Sequence, residues 1–97
     1  LPNPYFVSEL KEKTGLDQDV ADYVFATPKA REFLNKLEDL IFFILPLMES
    51  EGRYRLTLAF GCTGGHHRSV AVAEAVGRAI SQAGYPTTIE HPHLELG

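Results

Sequence analysis

The sequence predicts an α/β domain: a small parallel sheet built on a strand–glycine-rich loop–helix–strand unit over residues 54–91, preceded by two helices over residues 17–49. Three observations carry that expectation. Leu56-Thr57-Leu58-Ala59-Phe60 is an apolar run of strand length. Gly61-Cys62-Thr63-Gly64-Gly65-His66-His67-Arg68-Ser69 follows it as a glycine-rich turn into an alanine- and valine-rich stretch of helical character. Thr87-Thr88-Ile89-Glu90-His91 then returns to strand composition after a stop at Gly84. A strand, a crossover helix and a second strand imply parallel pairing and a right-handed connection.

Taken in order, residues 1–14 are polar, broken by Pro2 and Pro4, and read as a loop. Asp17 is placed to cap a short helix running to about Ala26, with Val20, Tyr23 and Val24 on one face. Thr27-Pro28 restarts the chain, threonine as cap and proline at the first helical position. A longer helix to about Glu49 is expected from Ala30, Phe33, Leu34, Leu37, Leu40, Ile41, Ile44 and Leu45, which recur at steps of mostly three and four. Pro46 is expected to end or kink it. Phe42 and Phe43 lie partly off that stripe, so they either widen the core face or mark a partner surface. The third helix is expected over residues 67–83, its alanines allowing close packing on a sheet.

Composition bounds the function. Ninety-seven residues make a single domain with one modest core. Hydrophobic residues at 44% and charged residues at 23% fit an ordinary soluble globular chain. No apolar run approaches the roughly 18 residues of a membrane span, and no signal peptide is visible, so no membrane association is expected. A single cysteine excludes an internal disulfide and makes a reducing cytoplasm the expected compartment. A net charge of −4 argues against a dedicated nucleic-acid binder, which needs many cationic contacts to phosphates. The acidic residues concentrate before the glycine-rich turn, whereas Arg68, Glu74 and Arg78 leave residues 61–85 at +1. The chain opens on Leu1 rather than methionine, which reads as a fragment or a processed chain.

The turn carries the chemistry. A glycine-rich strand-to-helix turn aims free backbone N–H groups at one spot, at the positive end of the helix dipole. An arginine in the first helical turn adds a fixed charge with bidentate geometry. The expectation is a pocket for phosphate or another oxyanion, held by the N–H groups of residues 63–67 with Arg68 and Ser69. The plainer alternative is that Gly64 and Gly65 only supply the backbone angles of a tight turn while Ser69 packs.

The same residues resemble the signature of the C-terminal domain of the RapZ family: Gly61-Cys62-Thr63-Gly64-Gly65-x-His67-Arg68-Ser69-Val70, then Ala73-Glu74. Leu1-Pro2-Asn3-Pro4 and Thr14-Gly15-Leu16-Asp17 agree in order and spacing, which extends the resemblance over essentially the whole chain. The family comprises bacterial RNase adapters with an N-terminal P-loop domain, and no Gly-x-x-x-x-Gly-Lys-Ser/Thr occurs in this stretch. The resemblance implies a phosphosugar site of the glucosamine-6-phosphate type, carried over onto Thr63, Gly64, His67, Arg68 and Ser69. It also implies additional strands upstream of Leu1, oligomers, and RNA or an RNase as partner. In open α/β sheets ligands sit beyond the carboxyl ends of strands. Asn3 and Tyr5 after an upstream strand, the glycine turn after the next, and His91 at the end of the last would then line one crevice. Gly65 completes the expected ligand set, and no cofactor is expected. Three departures bear on these implications. Tyr5 stands where family members often have histidine. The ending His91-Pro92-His93-Leu94-Glu95-Leu96-Gly97 lacks both the family's arginine and its basic tail, and that weakens the RNA expectation.

Two sharper chemistries compete. Cys62, five residues, then Arg68-Ser69 spell the Cys-x5-Arg-Ser pattern of cysteine phosphatases, where a thiolate attacks phosphorus and the loop amides lower the thiol pKa. Such an enzyme needs a general acid, many have histidine where Gly61 stands, and no acid loop is identifiable. Thus no catalytic residue is assigned. Histidines 66, 67, 91 and 93 with Cys62 invite a zinc reading, but their spacing matches no standard ligand pattern, so no metal is expected.

Overall fold

Asn3 begins the folded chain by capping a one-turn 3-10 helix over Pro4–Phe6, its side-chain oxygen accepting from the Tyr5 N–H at 3.1 Å. The computed structural model describes residues 1–52, 55–62 and 66–95. Helix α1 spans Gln18–Val24, α2 Pro28–Ser50 and α3 Arg68–Gln82, and Pro92–Glu95 forms a single turn, α4. Asp17 precedes α1 as expected, but its carboxylate makes no cap bond to the helix; it accepts instead from the Thr14 N–H at 2.9 Å, closing the turn before it. Thr27 caps α2 through the Ala30 N–H at 3.1 Å, with Pro28 in the first turn, as the sequence indicates. Gly84, with φ of +97°, follows α3 in the left-handed region that favours glycine.

Two expectations change. Of the end or kink expected at Pro46, the end does not occur: α2 continues through it to Ser50, close to the expected limit at Glu49. The proline removes one donor from the helix and leaves the carbonyl four residues earlier without its partner. That loss is confined to one bond near the helix end, and Leu45 beside it stays packed on the core. The second correction is larger: the expected parallel sheet is absent. The described residues form helices and no strand, so the domain is helical rather than α/β. Residues 55–60 and 86–91 are irregular, and no backbone hydrogen bond joins them among the described residues. Strand propensity is realised only when a ladder closes. Here both segments line a cleft of about 630 Å³ that Ser69, Val70 and Ala73 of α3 also line. Leu56 and Leu58 are each 39% exposed in consequence.

The core forms around α3. Its Ala71 joins Leu10, Val20 and Val24 in one cluster, while its Val72 and Val76 join Ile41 in a second, and Phe25 packs against both. The small side chains expected to face a sheet instead let α3 contact both α1 and α2. Phe60, at the end of the 55–60 run, packs against the second cluster. Among the described residues no helix is long and apolar enough to cross a membrane.

Candidate functional site

The head of α3 is fixed from two sides before any ligand is considered. The Gly15 N–H donates to the His66 carbonyl at 2.8 Å, and a Cβ on Gly15 would collide with the His67 carbonyl and the Ala71 nitrogen. Only glycine lets the loop before α1 approach the helix start this closely. His67, 7% exposed, turns its imidazole toward the N-terminal segment, where Nε2 lies 3.0 Å from the Lys11 carbonyl. A carbonyl only accepts, so Nε2 carries the proton in that contact.

Arg68 and Ser69 open α3 as the sequence indicates. The Ser69 N–H donates to Cys62 Sγ at 3.4 Å, and the Ser69 hydroxyl lies 3.3 Å from the same sulfur. The thiol is therefore held at the positive end of a helix of 15 residues. Arg68 lines a cleft of about 580 Å³ with Cys62, Gly61 and Lys29. Its Nε is buried, and among the described residues it has no hydrogen-bond partner and its guanidinium joins no ion pair. No aspartate or glutamate is among the described residues lining that cleft.

The other expected residues divide. Thr63, Gly64 and Gly65 lie outside the described residues. Asn3 is spent on its cap. Tyr5 is 53% exposed, with the Lys11 ammonium 4.6 Å from its ring centroid and Phe6 packed edge-on against it. Leu1 and Pro2, rather than Asn3 and Tyr5, line the cleft beside Arg68. His91 lines the neighbouring cleft that contains Ser69, and its Nε2 lies 2.7 Å from Glu74 Oε1. His66 is exposed. Sequence reasoning assigned no role to Glu74, Lys29 or Gly15. The signal for Glu74 was its phase: it shares the Val70, Ala73 and Gly77 face of α3, where a carboxylate is out of place. Among the described residues, no three His, Cys, Asp or Glu side chains gather as metal ligands would.

A helical domain whose central helix opens on an arginine, with a cysteine–serine contact beneath it, is the class defined by this arrangement. The chain belongs to the RapZ C-terminal domain family, whose pattern it matches over residues 1–95. It is 65% identical over 97 residues to a nucleotide-binding protein of Desulfovibrio desulfuricans, covering all of this chain and 31% of that protein. Identity is 57% over 97 residues to a nucleotide-binding protein of Nitratidesulfovibrio vulgaris, again over the whole chain and 33% of the relative. A nucleotide-binding protein of Listeria monocytogenes is 52% identical over 95 residues, 98% of this chain and 32% of its own length. The chain thus spans about a third of the length of the curated relatives it matches.

Proposed function

We propose that this domain binds a phosphorylated small molecule, of the sugar-phosphate type, with the oxyanion held at the 61–69 turn. The observation that carries the reading is the Arg68 Nε at the head of α3, buried and without a hydrogen-bond partner among the described residues, in a cleft lined by a second cation, Lys29. A buried donor left unsatisfied costs about 1–3 kcal/mol, and more when it belongs to a charged group. An anion arriving at the helix N-terminus would supply the missing acceptor. Titrating inorganic phosphate and then glucose 6-phosphate, followed by amide shifts, tests this. The signals of residues 62–70 should move first, Arg68→Ala should abolish the response, and Arg68→Lys should keep only part of it because lysine lacks the fork. Shifts elsewhere with the turn silent would overturn the reading. Tight, sequence-selective RNA binding at about 150 mM salt would favour the rival role of RNA-contacting adapter, since ordinary phosphate contacts weaken steeply with salt.

One observation favours a second reading. The Cys62 thiol receives the Ser69 N–H at the helix start, the arrangement that favours a thiolate in cysteine phosphatases. Against it, no carboxylic acid among the described residues lines the Arg68 cleft to protonate a leaving group.

A further inference from the structure

Glu74 and His91 form a side-chain pair, its histidine on the wall of the cleft that contains Ser69. Glu74 lies in the second turn of α3, on the face that carries Val70 and Ala73, and His91 lies 17 residues further along the chain. Their side chains meet at 2.7 Å while only 28% and 14% exposed. A carboxylate on such a face is costly to desolvate without a partner, and the imidazole is the partner it has. The contact is specific to one ring nitrogen: Nε2 faces the Glu74 oxygen, and Nδ1 has no hydrogen-bond partner among the described residues. In neutral imidazole one nitrogen donates and the other accepts. An ionised carboxylate only accepts, so it selects the Nε2–H form and leaves Nδ1 as an acceptor.

His91 lines the cleft of about 630 Å³ that also contains Ser69. Cys62 and Arg68 line the neighbouring cleft, and the Ser69–Cys62 contact at 3.3 Å links the two. Ser69 follows Arg68 in the first turn of α3, so a ligand held at Arg68 that extends past Ser69 would meet the cleft that His91 lines. We propose that Glu74 is a positioning residue for this site: it fixes His91 as the Nε2–H tautomer, so that Nδ1 accepts from a hydroxyl or amino group on the phosphorylated ligand. The inference rests on the anion-binding reading of the turn and adds to it a preference for phosphates that carry such a donor, as phosphosugars and aminosugar phosphates do, over bare phosphate. The same logic operates where a carboxylate sets which imidazole nitrogen faces a substrate or metal.

Two measurements test it separately. The first needs no ligand. With the ring neutral, long-range proton–nitrogen correlation spectra should show His91 protonated at Nε2. In Glu74→Ala the ring should become a mixture of tautomers. Glu74→Gln, whose amide oxygen still accepts, should lie between the two. A wild-type His91 protonated at Nδ1, or a tautomer unchanged in Glu74→Ala, overturns the proposal whatever the turn binds. The second is a ratio of dissociation constants, inorganic phosphate over glucose 6-phosphate. One neutral hydrogen bond is worth about a threefold to tenfold preference for the sugar phosphate, and the ratio should fall toward unity in Glu74→Ala and in His91→Phe. Should Glu74→Ala fail to fold, Glu74→Gln and His91→Phe carry the same comparison. A wild-type ratio of one, or a preference that survives in these variants, overturns the inference and leaves the anion site standing. Failure of both ligands to bind the wild type, with the Nε2–H tautomer present, overturns the anion-binding reading and, with it, the ligand preference.

Discussion

Gly15→Ala is the substitution whose cost is clearest in the fold. A methyl group there meets two backbone atoms, the Ala71 nitrogen and the His67 carbonyl, and comes to 2.8 Å from the Val70 Cβ. None of these is the end of a flexible side chain, so relief requires the loop before α1 to move off the head of α3. Overpacking of this kind costs about 1–3 kcal/mol. The displacement also stretches the 2.8 Å bond from the Gly15 N–H to the His66 carbonyl, worth about 1 kcal/mol. Restricting the unfolded chain returns about 0.4–1 kcal/mol. The net expectation is a loss of about 2 kcal/mol, or a fall in Tm of about 8–16 °C for a domain of this size. Gly61→Ala is the internal control, because a Cβ there meets nothing within 4 Å, and its effect should lie within about 0.5 kcal/mol. Thermal and urea unfolding followed by far-ultraviolet circular dichroism reads both. A Gly15→Ala protein as stable as Gly61→Ala would refute the claim that close approach at Gly15 fixes the start of α3.

Two other outcomes are expected. Cys62→Ser should retain phosphate binding, because serine keeps an acceptor for the Ser69 N–H, and the wild type should not turn over an aryl phosphate; a phosphoryl-cysteine adduct, or turnover abolished by Cys62→Ser, would establish the phosphatase reading instead. Self-association is expected through α2, where Leu40, Phe43 and Leu47 follow one another at helical spacing and are 55%, 68% and 50% exposed; Phe43→Glu should lower a concentration-dependent sedimentation mass, and a wild type that stays monomeric at all concentrations would remove the basis for a homo-oligomer.

Most helical boundaries were legible in the sequence, and for a local reason. Thr27-Pro28 and Gly84 act through the backbone of their own turn, so the start of α2 and the end of α3 follow from a few adjacent residues. The apolar steps from Ala30 to Leu45 likewise describe one face of one helix, although only Ala30 and Ile41 on it become buried. Of the two outcomes expected at Pro46, an end or a kink, the end does not occur, because the penalty of the proline is local while the docking of α2 is not. At the site, Arg68 and Ser69 were identified correctly as the opening of α3, since a glycine-rich turn followed by a helical stretch leaves little freedom over where the helix begins.

The sequence by itself determined the family, the helices and the residue types gathered at the head of α3. Tertiary structure alone decided whether residues 55–60 and 86–91 became strands. A strand is completed by hydrogen bonds to a neighbour distant in sequence, and these two segments flank a cleft instead of pairing. It also decided which side chains face the site. His67, expected to reach a ligand, is buried against the Lys11 carbonyl, and His91 is turned by Glu74. Each of those contacts spans many residues of chain, and the orientation of an imidazole depends on whichever acceptor the packed fold brings within reach, which no local pattern specifies.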